Sequence, residues 1–413
     1  MAHARHPSEF DPFDPVVVEN PWDFFAALRR EAPAYCLPNG VYTVISRYAD
    51  VRRAALSPDL FSSKLVALLT QDRAGGDSPS VFEVPTGSAG AIDVLAIADA
   101  PDHTRQRKLS NKAFSMRRVA SIEPHLRSLA EKLVDAFLPQ GKADWVKEMA
   151  VPMPVTIIAE LIGLPLADAP RIKRWSDASV ALLSGISTPE QLRANFLEAS
   201  ALLKYLAMQF DSACHAPRDD VLGDLIRASQ DPDEALSRNE VISILVQLLT
   251  AGNETTTSLI GSALMLMLRQ PDLEARLRAD TSLIEPFIEE AIRLESPFYG
   301  HFRVVRRDTE VAGVPLAEGT RLMLSWASAN RDENEFERPE EVDLKRHNLR
   351  AHLSFGIGYH HCIGAALARL ETRLALETLL ARTRSLGLAR ANDFSHVPSL
   401  FVRSLNALHI EFD

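Results

Sequence analysis

A mainly α-helical chain, a large helical body with small peripheral β-sheets, is what this sequence predicts, and three observations predict it. From about residue 102 onward apolar residues recur with the period of a helix. Runs rich in strand formers are short and few, at 41–45, 310–314, 321–324 and 407–412. No internal repeat or linker-like change of composition divides the chain, so residues 1–413 are expected to form one domain, although that length exceeds the usual one.

In chain order, Val41, Tyr42, Thr43, Val44 and Ile45 follow Asn39-Gly40, a hairpin signal, and start a small sheet. Residues 71–93 hold Gly75, Gly76, Pro79, Pro85, Gly87 and Gly90, a loop of a length uncommon inside a compact domain unless it has a function, and are read as a lid. His103 and Arg107 lie four apart at a helix start and share a face. Helical segments are expected at 118–137, 153–164 and 191–214, with Gly185 and Pro189 marking residues 184–189 as a hinge or gate.

Ser237 and Glu240 have the spacing of a capping box, and a helical pattern then runs to Gln270, just before Pro271. Midway stand Ala251, Gly252, Asn253, Glu254, Thr255, Thr256 and Thr257, where one glycine and three threonines cost roughly 2 to 3 kcal/mol of helix propensity relative to alanine. A structural helix gains nothing from that cost. Small residues here let a flat ligand lie against the helix, while Glu254 and Thr255 supply an acid and an alcohol.

Glu290 and Arg293 fall three apart on a helix that ends before Pro297, close enough to pair. Phe355, Gly356, Gly358, His360, Cys362 and Gly364 then form a glycine-rich loop that delivers a cysteine to the start of a helix over 365–380. Glycines permit unusual dihedrals and close approach of a ligand, and helix-start N–H groups favour a thiolate over a thiol. Such a sulfur is a good axial ligand for iron.

Composition narrows the classes. A formal charge of −10 argues against a nucleic-acid binder. Cys36, Cys214 and Cys362 are far apart with no CxxC spacing, which suggests neither a disulfide framework nor a zinc site. The first thirty residues hold no apolar run suited to a signal peptide or membrane anchor, so a cytoplasmic protein is expected.

The loop F-G-x-G-x-H-x-C-x-G resembles the haem-binding signature of cytochromes P-450 at every fixed position. Ala251 to Thr256 is similar to that family's oxygen-activating segment, and Glu290 with Arg293 to its E-x-x-R motif, with Arg346 a third member. The resemblance spans nearly the whole chain and looks closest to soluble actinobacterial members. It implies a cytochrome P-450 fold and a haem-thiolate monooxygenase that holds haem b through Cys362 and uses O2. Haem contacts are then expected from His103, Arg107, Ala251, Gly252, Thr255, Arg303, Phe355, Gly356, His360 and Gly364. Glu254 and Thr255 take the proton-delivering positions, and a ferredoxin with its reductase supplies electrons, with Arg105, Lys108, Lys112, Arg117 and Arg118 as a candidate docking cluster.

A lipophilic substrate, whether terpenoid, steroid, fatty acyl or polyketide, is expected to meet Leu248, Ala251, Phe298, Tyr299, His301 and Phe401. The lid, now taken as 71–98, and the gate near 182–189 would complete its site. Two rivals share the loop: a peroxide-driven peroxygenase, which has little use for Glu254 and Thr255, and a haem-thiolate sensor, which needs no proton path.

Overall fold

The computed structural model describes residues 5–71, 79–83, 93–216, 218–230 and 235–413. Helix dominates it, as the period predicts, and the sheets are small. The helices Met116–Phe137, Pro152–Ile162 and Pro189–His215 fall within a few residues of their predicted bounds. Each end has a local cause. Ser115 and Thr188 cap two of the N-termini with their hydroxyls, and Gly163, left-handed at φ +88°, ends the Pro152–Ile162 helix.

The helix Arg238–Arg269 begins at the expected capping box, with Ser237 and Glu240 each taking the other's backbone N–H. It packs against Pro152–Ile162, Ala169–Ala181, Pro189–His215, Ile284–Leu294 and Ala365–Arg382, so it runs through the middle of the molecule. Its apolar residues divide between two cores. Val241, Ile242, Ile244, Leu245, Leu248 and Leu249 belong to one, and Leu259, Ile260, Ala263, Leu264 and Met267 to the other. The small and polar stretch 250–258 lies between these two apolar runs.

The largest sheet has five strands in the order Ala34–Cys36, Thr43–Ile45, Arg321–Ser325, Gly300–Val305 and Phe61–Ser62. Only the pairing of Thr43–Ile45 with Arg321–Ser325 is parallel. The C-terminal strand His409–Phe412 sits between Leu386–Leu388 and Lys142–Asp144. The expected strand at 310–314 is a small hairpin, Thr309–Val311 paired with Val314–Leu316, because Ala312 and Gly313 both turn through positive φ.

Part of the expected lid is also a hairpin, Ala67–Gln71 paired antiparallel with Pro79–Glu83. Residues 72–78 and 84–92 of that lid, with Gly75, Gly76, Pro85, Gly87 and Gly90, lie outside the described residues. Among the described residues no helix is long and apolar enough to cross a membrane.

Glu290 and Arg293 are fully buried, and Arg293 makes a forked pair with Glu290 at 2.8 and 3.0 Å. Arg346 donates to Glu290 Oε1 at 3.0 Å, and the Asp343 amide to Oε2 at 2.8 Å. The remaining donors of Arg293 reach the carbonyls of Asn330, Pro339 and Glu341. Burial opposes the Glu290 charge, and these partners override it, holding the carboxyl below its usual range. The expected trio therefore ties one helix to the chain that leads into the cysteine loop.

Candidate active site

Between the two cores lies a mainly apolar cavity, with roughly 1440 Å³ free of protein atoms, its mouth included. Cys362 and the central helix both line it. Cys362 N–H donates to the Phe355 carbonyl at 2.7 Å, closing the loop on itself, and Gly356 and Gly358 turn at φ +66° and +68°. A Cβ on Gly356 would lie 3.2 Å from the His360 carbonyl oxygen, tighter than an ordinary contact. The accessible surface of Cys362 belongs to the cavity rather than to bulk solvent, since protein surrounds the residue.

The helix-start argument needs a correction. Backbone N–H groups of Gly364 and Ala365 do favour the thiolate, but burial outweighs them and raises the thiol's pKa. An iron bound at Cys362 would take the proton's place and leave the sulfur an anion.

The opposite wall follows the helical period: Gln247 and Leu248, then Ala251 and Gly252, then Thr255 and Thr256, then Leu259. Gln247 was missed from the sequence, although its position four before Ala251 places it on this face. Thr255 Oγ1 donates to the Ala251 carbonyl at 2.6 Å. Glu254 does not line the cavity. Its carboxylate meets Lys173 Nζ at 3.3 Å on the Ala169–Ala181 helix, beside Asp177. Burial opposes the charge of Lys173, and the two acids more than restore it, raising its pKa. Asp177 is pushed up to about 6 by burial, with Glu254 adding to the rise.

A third wall gathers His103, Arg107, Arg303 and His360. The rings of His103 and His360 lie 4.2 Å apart, and His360 Nε2 sits 2.9 Å from the Ser63 hydroxyl. No carboxylate pairs with any of the four side chains among the described residues. Arg107 reaches Asn111, Arg303 reaches the Phe302 carbonyl, and the nearby Asp99 is taken by Ser62, Ser63 and Arg306. Burial and Arg303 push His360 down to about 3, and burial pushes Arg303 down to about 10. His360 Nδ1 is buried without a hydrogen-bond partner among the described residues.

A buried group of cations and imidazoles without an acid is costly until an anion completes it. A planar group carrying two carboxylates, lying between Cys362 and Ala251-Gly252, fits these donors, and this is the haem that the loop implies. Phe355, Gly356 and Gly364 border the same space beside the sulfur. So does Glu371, a buried acid raised to about 8 by burial alone, which the sequence did not single out.

Of the expected substrate contacts, Leu248, Ala251, Phe298 and His301 line the cavity, with Leu95 from the end of the lid segment. Tyr299 and Phe401 do not. The Tyr299 hydroxyl accepts from Arg403 Nη1 at 3.1 Å, and its ring packs on Trp22 and Phe25. Phe401 stacks behind the cavity on Phe302 and His301, at ring distances of 5.5 and 5.7 Å. None of residues 182–189 lines the cavity either; Leu400 N–H donates to the Ser184 carbonyl at 2.7 Å, tying that segment to the chain near Phe401. The basic cluster is partly compensated, because Arg105 is bonded to Glu240 and Arg118 to Asp224.

Comparison with known proteins agrees with this geometry. The family model described as Cytochrome P450 matches residues 198–386. The chain is 36% identical over 394 residues to Cytochrome P450 144 of Mycobacterium tuberculosis, covering 95% of this chain and 89% of that protein. It is 33% identical to the Vitamin D(3) 25-hydroxylase of Pseudonocardia autotrophica, covering 97% and 96%. The solved structure of CYP109Q5 from Chondromyces apiculatus superposes with a TM-score of 0.83 at 34% identity, covering 98% of each chain. With the cysteine loop, the helix opposite and the buried donors all in one cavity, the chain belongs to the cytochrome P450 family and is a P450 monooxygenase.

Proposed function

We propose that the chain, as one domain over 1–413, holds haem b through Cys362 and inserts one oxygen atom of O2 into a lipophilic small molecule, by hydroxylation or epoxidation. The observation that carries this is one cavity lined by both Cys362 and Thr255. When bound, the haem supplies the activation of dioxygen, which protein side chains cannot perform.

The chain's own residues bind, orient and move protons. His103, Arg107, Arg303 and His360 hold the two haem carboxylates, and Ala251 and Gly252 leave room for the macrocycle. Thr255 presents a hydroxyl at the reacting face. Glu254 lies on the next face of the same helix, paired with Lys173, and passes protons inward from Lys173 and Asp177. Leu248, Ala251 and Phe298 shape an apolar site that excludes water. Likeness to the vitamin D(3) hydroxylase favours a steroid-like substrate. Electrons come from a ferredoxin and its reductase in the cytoplasm. Since Arg105 and Arg118 are paired within the chain, docking draws on more than the basic cluster.

Titration of the ferric protein with testosterone, dodecanoate and a macrolide, followed at the Soret band, tests the site. A saturable shift with testosterone is expected. A haem-loaded protein that responds to none of the three contradicts the lipophilic-substrate reading.

A further inference from the structure

His301 lies on strand Gly300–Val305, opposite Leu324 of Arg321–Ser325, with Arg303 opposite Leu322. Strand alternation puts His301 and Arg303 on one face, and both line the cavity. His301 Nδ1 is 2.8 Å from the Gly300 carbonyl oxygen, which can only accept, so Nδ1 carries the proton. Nε2 is then a bare lone pair, and it has no partner among the described residues.

The ring is also fixed in place. It stacks on Phe401 at 5.7 Å with 13° between planes, packs on Phe298 at 5.5 Å, and meets Trp326 edge-on at 6.3 Å. Burial and the neighbouring Arg303 guanidinium push its pKa down to about 4, so the ring stays neutral near pH 7.

Two other polar side chains of the cavity, Gln247 and Thr255, already have partners. Gln247 receives the Ala96 N–H at 3.2 Å and gives its own to the Val94 carbonyl at 2.7 Å. Thr255 spends its proton on Ala251. Trp326 carries a donor and no acceptor. Buried polar groups need partners, and an unmatched one costs affinity.

Resting on the monooxygenase reading, we infer that His301 is a specificity-determining acceptor, and that the substrate is a lipophilic alcohol whose hydroxyl donates to Nε2. The same lone pair turns away an ionised carboxylate, which can only accept. Fatty acids are thereby disfavoured among the lipophilic classes, and hydroxylated steroids and terpenoids are favoured.

Dodecan-1-ol, 1-methoxydodecane and dodecanoate share one chain and differ only at the head. Their dissociation constants are measured from the Soret shift for the wild type, His301→Phe and His301→Gln, with a carbon-monoxide difference spectrum taken on each protein. The wild type should bind the alcohol about three- to tenfold more tightly than the ether, the worth of one hydrogen bond, and more tightly than the acid. His301→Phe should erase the difference and leave the spectrum unchanged. His301→Gln, which keeps an acceptor, should retain part of it. Equal affinities, preference for the acid, no response of the wild type to any probe, or a preference that survives in His301→Phe would overturn the proposal. Loss of haem from His301→Phe would also overturn it, by showing that the imidazole holds the haem itself. A wild type without a thiolate-ligated spectrum instead defeats the monooxygenase reading on which the inference rests.

Discussion

Glu290→Ala is expected to destabilise the folded protein by about 3 to 5 kcal/mol, because it leaves Arg293 and Arg346 buried with no counter-charge. Glu290→Gln, which keeps one acceptor, should cost less. The measurement is the denaturant midpoint of the haem-loaded protein. The pH dependence has a definite sign. The folded-state pKa of Glu290 lies below its ordinary value of 4.5, so the contribution is full above that value. It is lost as pH falls through the folded-state pKa. An Ala variant as stable as the wild type at pH 7 would show the trio to be inessential to the fold.

Thr255→Ala is expected to lower electron-driven product formation by roughly a hundredfold, the low end of what a positioned proton carrier contributes. Electron consumption should continue, with hydrogen peroxide appearing in place of product. Product and peroxide are measured together under reduced ferredoxin. The variant should keep its thermal stability, since the hydroxyl donates to a carbonyl of its own helix. Product formation indifferent to the change would favour the peroxide-driven rival, which has no use for the alcohol.

The cysteine loop and the central helix were legible because each is a local pattern. The loop needs glycine at φ +66° and +68°, and those glycines stand in the sequence beside the one cysteine they present. The helix was readable from its capping box and from the costly Gly-Thr stretch between two apolar runs. The same periodicity also held information that the motif obscured. The cavity face of that helix repeats as Gln247-Leu248, Ala251-Gly252 and Thr255-Thr256, and a step of about 100° per residue puts Glu254 past the edge of that face. The structure gives Thr255 to the cavity and Glu254 to Lys173.

Other misses had no local signal. Strand parity would group Tyr299 with His301 and Arg303, but ladder pairing begins only at Gly300, where a Cβ would lie 2.3 Å from the Leu324 carbonyl oxygen. Before that point the face slips by one residue, and Phe298 meets the cavity while Tyr299 turns to Arg403. Phe401 stacks on residues about 100 positions earlier in the chain, a contact that only the tertiary fold creates. The sulfur's protonation was misjudged for a similar reason. Helix-start N–H groups are visible in a sequence, whereas the depth of burial that outweighs them is not.

Everything proposed for this site rests on a cysteine thiolate as the iron ligand. The carbon-monoxide difference spectrum of the reduced, haem-loaded protein reads that ligand directly. The band characteristic of thiolate ligation is expected in the wild type, and its loss in Cys362→His with haem still bound. A wild-type spectrum of the imidazole type, or one unaltered in Cys362→His, would contradict the account.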